Sequence, residues 1–477
     1  MHYEAIIGME VHAQLLTASK MFCGCSADYA SAAPNTHVCP VCLGMPGVLP
    51  VINQAAVEAT LLTGLALNCD IPEFSKFDRK NYPYPDLPKG YQISQYDMPL
   101  CVNGCLEIDR RIRIRRVHLE EDTAKLFHQG EASLIDFNRA GVPLMEIVSE
   151  VDIRSAEEAW QYLVKLRTIL RYLRVSTGNM EEGAMRCEVN ISLRPAGRQE
   201  LGTKVEIKNL NSFRAVRQAI AFEMRRQSRI LDDGGRVRQV TVGWDETHGR
   251  TVFQRSKEGA EDYRYFPEPD LPPLQFSQAW IQQIRERLPE LPDAKLKRIT
   301  EKYGLKPYTG GPLLVEDPAV ADFFEAAAQA AMGTVEPRMV ANWTVEQVRP
   351  LWRDRGSAYV DIDRDAPRLA ELLALIDKGT INATVGKVVL DEMFASGESA
   401  QAIVERKGLT QVSDEEELIR IIGDILEANP KPVRQFLEGK ETVLGFFIGQ
   451  VMRATRGKAN VHVARRLLTE ELERRRG

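Results

Sequence analysis

The sequence predicts an α+β protein in which an antiparallel sheet domain precedes two all-α domains. Three observations carry that expectation. Up to about residue 275, short segments alternate apolar and polar residues with the period of a strand, interrupted by a few helical patterns. Residues 266–274, FPEPDLPPL, then place four prolines in nine residues, which breaks regular structure. From about residue 277 onward the apolar residues recur at helical spacing.

The elements follow in order. YEAIIGMEVHAQ is a strand with Ala5, Ile7, Met9 and Val11 on one face and Gly8, Glu10 and His12 on the other. RRIRIRRVHLEED is a basic strand ending in His118, Glu120, Glu121 and Asp122, and PLMEIVSE places Glu146 and Glu150 on one side. A helix spans Ser155 to Tyr172, opened by a capping box of Ser155 and Glu158. In RCEVNISLRP, Val189, Ile191 and Leu193 back a face of Glu188, Asn190 and Ser192; in TKVEIKN, Val205 and Ile207 back Lys204, Glu206 and Lys208. A second helix runs from near Ser212 to the Gly234-Gly235 stop, and VRQVTVGW, DETHG and RTVFQRS form a hairpin. Beyond the prolines, Leu369, Leu372, Leu373 and Ile376 mark the core face of a helix. The turn-rich KGLTQVSD and a capping box at Ser413 and Glu416 open a small terminal domain. The expected domains are 1–293, 294–406 and 407–477.

Composition excludes several classes. With 477 residues, 44% hydrophobic and 27% charged, the chain suits a globular protein with ample core. No apolar run reaches the roughly 18 residues of a membrane span, and the N-terminus enters a strand pattern with no secretory or import leader, so a cytoplasmic protein is expected. The net charge is −5, yet residues 434–477 hold ten Lys/Arg against five Asp/Glu, or +5, leaving −10 for the remainder. Lys440, Arg453, Arg456, Lys458, Arg465 and Arg466 are candidates for a polyanion-docking surface; a solvated helix face gives the same count.

Two constellations carry chemistry. Cys23 and Cys25 are separated by one residue, Cys39 and Cys42 by two, with thirteen residues between the pairs. In a reducing compartment four thiolates so spaced suit a tetrahedral Zn²⁺. Fully sulfur-ligated zinc leaves no position for water, so this knuckle is expected to be structural. Cys69, Cys101, Cys105 and Cys187 read as ordinary buried residues. The second constellation is the carboxylate-bearing face of the strands above, which would repel itself unless divalent cations or lysines neutralised it. Carboxylate-held Mg²⁺ beside lysines is a surface for handling phosphate, although the solvated side of an antiparallel sheet shows the same alternation. No GxxxxGK[ST] loop occurs, and no amidase-like nucleophile segment, so the chain is not expected to release ammonia itself. FDRKNYPYPDLPKGYQISQY interleaves Arg79, Lys80 and Lys89 with Tyr82, Tyr84, Tyr91 and Tyr96; it suits a single-stranded nucleic-acid end, and equally a loop packed by its own tyrosines.

Several long segments together resemble the GatB family of the tRNA-dependent amidotransferases: GMEVHAQL, SKMFCGCS with PNTHVCPVCLG, KNYPYPDLPKGYQISQYD, HLEEDTAKL, NRAGVPLMEIVSE, NMEEGAMRCEVNISLRP, EIKNLNSF and DYRYFPEPDLPPL. The resemblance covers essentially the whole chain. It implies a cradle similar to the glutamine synthetase and guanido kinase catalytic fold, then a helical domain and a YqeY-like tail. It also implies ATP-dependent phosphorylation of the side-chain carboxylate of mischarged Asp-tRNA(Asn) or Glu-tRNA(Gln), followed by amidation. Ammonia would come from a separate amidase (glutaminase) subunit, clasped by a small third subunit in a heterotrimer, with a cognate aminoacyl-tRNA synthetase as a further partner. Carried over by position, Glu10, His12, Glu121 and Glu146 would hold Mg²⁺, with Glu120 and Glu150 as substitutes, while Lys80, Glu188 and Glu206 line the same pocket. Transfer RNA would meet Tyr82, Tyr84, Lys89, Tyr91 and the basic tail. Val151 and Pro83 depart from the family pattern, with local loop changes expected. A large inserted domain, the mark of the archaeal Glu-tRNA(Gln)-specific paralogue, does not fit this length. The competing reading is a non-catalytic tRNA-binding scaffold.

Overall fold

A computed structural model describes residues 2–256, 263–305, 310–355, 360–409, 415–455, 459 and 461–475. They divide into two compact units, Met1–Pro292 and Asp293–Gly477. The strands of the first unit are β1 (Tyr3–Gln14), β2 (Phe74–Ser75), β3 (Asp78–Asn81), β4 (Tyr91–Ser94), β5 (Cys101–Glu107), β6 (Arg111–Glu121), β7 (Lys125–Gln129), β8 (Ala132–Asp136), β9 (Pro143–Ser149), β10 (Met185–Pro195), β11 (Val205–Leu210), β12 (Val240–Asp245), β13 (Arg250–Ser256), β14 (Phe266–Pro267) and β15 (Leu274–Gln275).

Eight of these form one mixed sheet in the order β13-β12-β11-β10-β1-β9-β6-β5. Its pairs are antiparallel except β11 with β12, which run parallel. The departure from a wholly antiparallel sheet has a simple cause: the connection between them contains a helix, α3 (Phe213–Asp232), long enough to return the chain to the starting end. The hairpin of β12 and β13 pairs Asp245 with Arg250, as the turn-rich DETHG segment predicts.

One face of the sheet is greasy and covered by α1 (Gln54–Ala66), α2 (Ala156–Tyr172) and α3. Ile7, Val11, Val117, Ile147, Val189 and Ile191 are fully buried there. Each such side chain contributes roughly 1.5–3 kcal/mol. This burial fixes the register, because a slip of one residue in β1 would drive Glu10 and His12 into the core. Helix α1 approaches β5 closely: a Cβ at Gly64 would meet Cys101 Sγ at 2.2 Å. Helix α2 starts at Ser155, whose side chain accepts the Glu158 N–H (3.0 Å), but the Glu158 carboxylate accepts the N–H of Arg154 (2.9 Å) in place of that of Ser155. The cap is therefore half a box. Cys69, Cys101, Cys105 and Cys187 are buried as expected.

In the second unit the buried Phe323, Phe324, Leu369, Leu372 and Leu373 pack the helices Pro318–Ala330 and Ile362–Asp377. Leu418, Ile422, Phe447, Val451 and Leu468 belong to a separate core cluster formed by later helices. Ser413, of the second expected capping box, lies outside the described residues. Among the described residues no helix is long and apolar enough to cross a membrane.

Candidate active site

Strand register lines up polar rows on the face opposite the helices. Arg186 on β10 stands opposite His12 on β1, His12 opposite Glu146 on β9, and Glu146 opposite His118 on β6. One step along, Glu10 faces Glu188. A bulge in the β10–β11 ladder falls at Glu188, which accepts a hydrogen bond from Lys208 Nζ (2.8 Å). Glu206 stands opposite Asn190 and accepts from Thr241 Oγ1 (2.6 Å). Each row places acids where neighbouring strands are about 5 Å apart.

The centre of the face is a tight cluster. His12 Nε2 lies 3.3 Å from Glu146 and 3.7 Å from Glu120; His118 Nε2 lies 3.3 Å from the same Glu146 oxygen. One donor atom each from His12, Glu120 and Glu146 falls within 4.8 Å of the others, the spacing a single cation needs. Burial opposes ionisation of Glu146, yet the two imidazoles outweigh it and hold its carboxyl well below the usual range. Burial likewise pulls the His12 imidazole down, but Glu146 and Glu120 lift it to about 9. Glu10 accepts from Asn190 Nδ2 (2.9 Å), and burial followed by repulsion from Glu146 and Glu188 raises its carboxyl. Burial also lowers the Lys80 ammonium, but Glu120, Tyr265, Tyr82 and Glu146 together more than reverse it.

Beside the cluster opens a cleft of about 770 Å³, lined by Lys80, Tyr82, Tyr84, Lys208, Arg255 and Tyr263 among others. Lys80 Nζ lies 5.1 Å from the Tyr263 ring centre and 5.7 Å from that of Tyr82, within cation–π reach. A cationic, aromatic-walled cleft next to clustered carboxylates can hold phosphates against a metal, or the end of a single strand.

The structure corrects several expectations. Glu121 is not in the cluster; its carboxylate accepts the Ile93 N–H (3.0 Å) and pairs with Lys89 on the far side of the β3–β4 hairpin. Glu120 takes its place, because side chains alternate along β6 and His118 and Glu120 share a face. Glu150 is also absent, since β9 ends at Ser149 and Arg115 holds the Glu150 carboxylate through two 2.9 Å bonds. The aromatic-basic segment splits the same way: Tyr82 and Tyr84 line the large cleft, whereas Lys89 and Tyr91 line a smaller cavity of about 190 Å³ beneath the cysteines. Glu10, Glu188, Glu206 and Lys80 do join the face. His118 and Arg186 were passed over in the sequence, although strand parity alone places both beside residues that were chosen. In the second unit Lys440, Arg453, Arg465 and Arg466 are exposed, Arg466 lying 3.3 Å from Glu470; Arg456 and Lys458 lie outside the described residues.

The sulfurs of Cys23, Cys25, Cys39 and Cys42 all lie within 4.8 Å of one another. Zn–S bonds of about 2.3 Å require sulfurs about 3.8 Å apart, so the set fits tetrahedral zinc. Lys20, fully buried, donates to Cys42 Sγ at 3.6 Å. The hydrogen bond from the Cys23 thiol outweighs the upward push of burial and, with the Cys39 N–H and Lys20, holds Cys42 down to about 4.

Comparison with known proteins matches the family model described as the GatB/GatE catalytic domain to residues 5–282, and the model described as the GatB domain to residues 322–472. The latter spans the expected boundary at residue 407. The chain is 53% identical to a protein of Dehalococcoides mccartyi (strain CBDB1) over 491 residues, covering 99% of each chain. It is 55% identical to one of Thermomicrobium roseum over 482 residues, covering 99% of each, and 52% identical to one of Caldanaerobacter subterraneus subsp. tengcongensis over 480 residues, covering 99% of this chain and 100% of the relative. All three are named as the B-subunit of aspartyl/glutamyl-tRNA(Asn/Gln) amidotransferase.

Proposed function

We infer the function of this chain from one premise: it belongs to the GatB/GatE catalytic-domain family. It is a catalytic subunit of a tRNA-dependent amidotransferase, within a multi-subunit enzyme that amidates aspartate or glutamate carried on tRNA. The observation that supports an active centre in this chain is the His12, Glu120 and Glu146 cluster beside a cationic cleft.

The finer assignments are ours. His12, Glu120 and Glu146 would hold Mg²⁺, with Glu10 on the same sheet face, and the cleft takes ATP and the charged 3′ end of Asp-tRNA(Asn) or Glu-tRNA(Gln). Bound there, Mg²⁺ would offset the negative charge of phosphate and carboxylate groups. The γ-phosphoryl group leaves ADP as a side-chain carboxylate oxygen forms the new P–O bond. Ammonia then attacks the acyl carbon, the C–O bond breaks, and phosphate departs as the amide loses a proton. Lys80 screens the transferring group, and Glu188 and Glu206 fix Lys208 at the cleft wall. The chain supplies no nucleophile of its own. Ammonia arrives from a partner amidase, with a small third protein completing a cytoplasmic heterotrimer to which a cognate synthetase docks. The four cysteines bind structural Zn²⁺. The sheet unit is a cradle of the glutamine synthetase type, followed by a helical domain and a YqeY-like tail that contacts tRNA.

The purified complex, given ATP, glutamine and each mischarged tRNA, tests this reading. Glu146→Gln should abolish acyl-phosphate formation while glutaminase activity persists. Near-normal amidation by that variant at saturating ATP would instead support the scaffold reading.

A further inference from the structure

Arg186 sits directly across from His12 on the same face. Its Nη2 donates to Asp122 Oδ1 (2.8 Å), and Asp122 is almost fully buried. The other Asp122 oxygen accepts from Gln14 Nε2 (2.7 Å), and Gln14 Oε1 in turn accepts from the Tyr29 hydroxyl (3.0 Å). Arg139 Nε stands 3.7 Å from Asp122 and balances its charge further. Tyr29 belongs to the segment that joins the two cysteine pairs in sequence, so a chain of hydrogen bonds runs from that segment to the catalytic face.

This arrangement fastens part of the guanidinium and leaves the rest open. Asp122 is the hydrogen-bond partner of Arg186 among the described residues, and 41% of the arginine side chain stays exposed. A guanidinium offers five N–H donors in a rigid plane, suited to gripping a carboxylate or phosphate through two parallel bonds. A buried carboxylate behind it costs desolvation and makes sense when it aims the opposite edge at an anion.

We propose that Arg186 is a substrate-binding residue whose open edge grips an oxyanion, either the side-chain carboxylate of the aminoacyl group or the terminal phosphate of ATP. Asp122, Gln14 and Tyr29 are positioning residues that set the aim of Arg186. The proposal rests on the functional reading above.

The test is steady-state amidation by the intact complex, with ATP and mischarged tRNA varied separately. Arg186→Lys keeps the charge and loses the fork. It should raise KM at least about tenfold for one substrate with kcat within about threefold, a loss of about 1.4 kcal/mol. A shift in the tRNA term identifies the carboxylate as the anion, and a shift in the ATP term identifies the phosphate. Tyr29→Phe should move the same KM by about two- to threefold. Unchanged KM values in both Arg186→Lys and Arg186→Ala, or a fall in kcat alone, would overturn the proposal. Should Arg186→Ala fail to fold, Arg186→Lys carries the test alone. Glu146→Gln, measured alongside, separates the failures: if it amidates normally the functional reading itself falls, whereas its loss with unmoved Arg186 variants removes only this inference.

Discussion

The knuckle draws its four sulfurs from residues 23 to 42, a single loop, whereas His12, Glu120 and Glu146 come from three strands and meet only through sheet register. With zinc bound, the knuckle would close a soft tetrahedron and leave no ligand position free. The carboxylate cluster gathers like charges around two imidazoles and lies near Lys80, which lines a cationic cleft. A closed site stabilises the fold. An open one carries unfavourable charge in order to act, which is the usual mark of a catalytic centre.

Four experiments break or sharpen that contrast. The largest effect belongs to the open site: His12→Ala or Glu146→Gln should lower amidation by on the order of 10³-fold, with glutaminase activity of the complex within about twofold. Retained amidation would strip the cluster of its role. For the closed site, Cys42→Ser should reduce bound zinc from about one equivalent to none and lower the melting temperature by on the order of 10 °C. A metal-free protein that melts as before would make the cysteines ordinary. Deleting residues after 406 should weaken tRNA binding roughly tenfold, and the loss should shrink at high salt. Unchanged binding would mean that the basic tail is merely solvated.

The smallest effect comes from an acid that needs no metal ion. Glu223, fully buried in α3, accepts from Arg226 (2.8 Å, twice), Thr251 (2.7 Å) and Gln227 (3.0 Å). Burial raises its carboxyl, but these partners prevail and the net shift is downward. The lowered folded pKa means stability that is fully present above the unfolded value of 4.5 and fades as pH falls through the folded one. Glu223→Gln should therefore cost about 1–3 kcal/mol at pH 7, and the deficit should shrink in thermal melts as pH falls below 4.5. An equal deficit above and below that pH would mean that packing, not charge, is lost.

Much of this was legible in the sequence, and the limits were physical. Period-two alternation identified Glu10, His12, Glu188 and Glu206 because one apolar face must be buried. Adjacent acids defeated the same logic: HLEED holds Glu120 and Glu121 side by side, and only the observed pairing of β6 with β9 shows that the face of His118 and Glu120 is the one turned to Glu146 and His12. Glu150 failed for another reason, since β9 stops one residue earlier and Arg115 captures it. The cysteine cluster was plain because its spacing is local, while Arg186 was hidden because its partners, Asp122 and Gln14, are distant in sequence.

The central claim, that His12, Glu120 and Glu146 share one divalent ion, is tested most directly by titrating Mn²⁺, a paramagnetic stand-in for Mg²⁺, into the purified complex. Glu120→Gln should lose the bound ion and Glu121→Gln should keep it. Loss in Glu121→Gln with retention in Glu120→Gln would contradict the account.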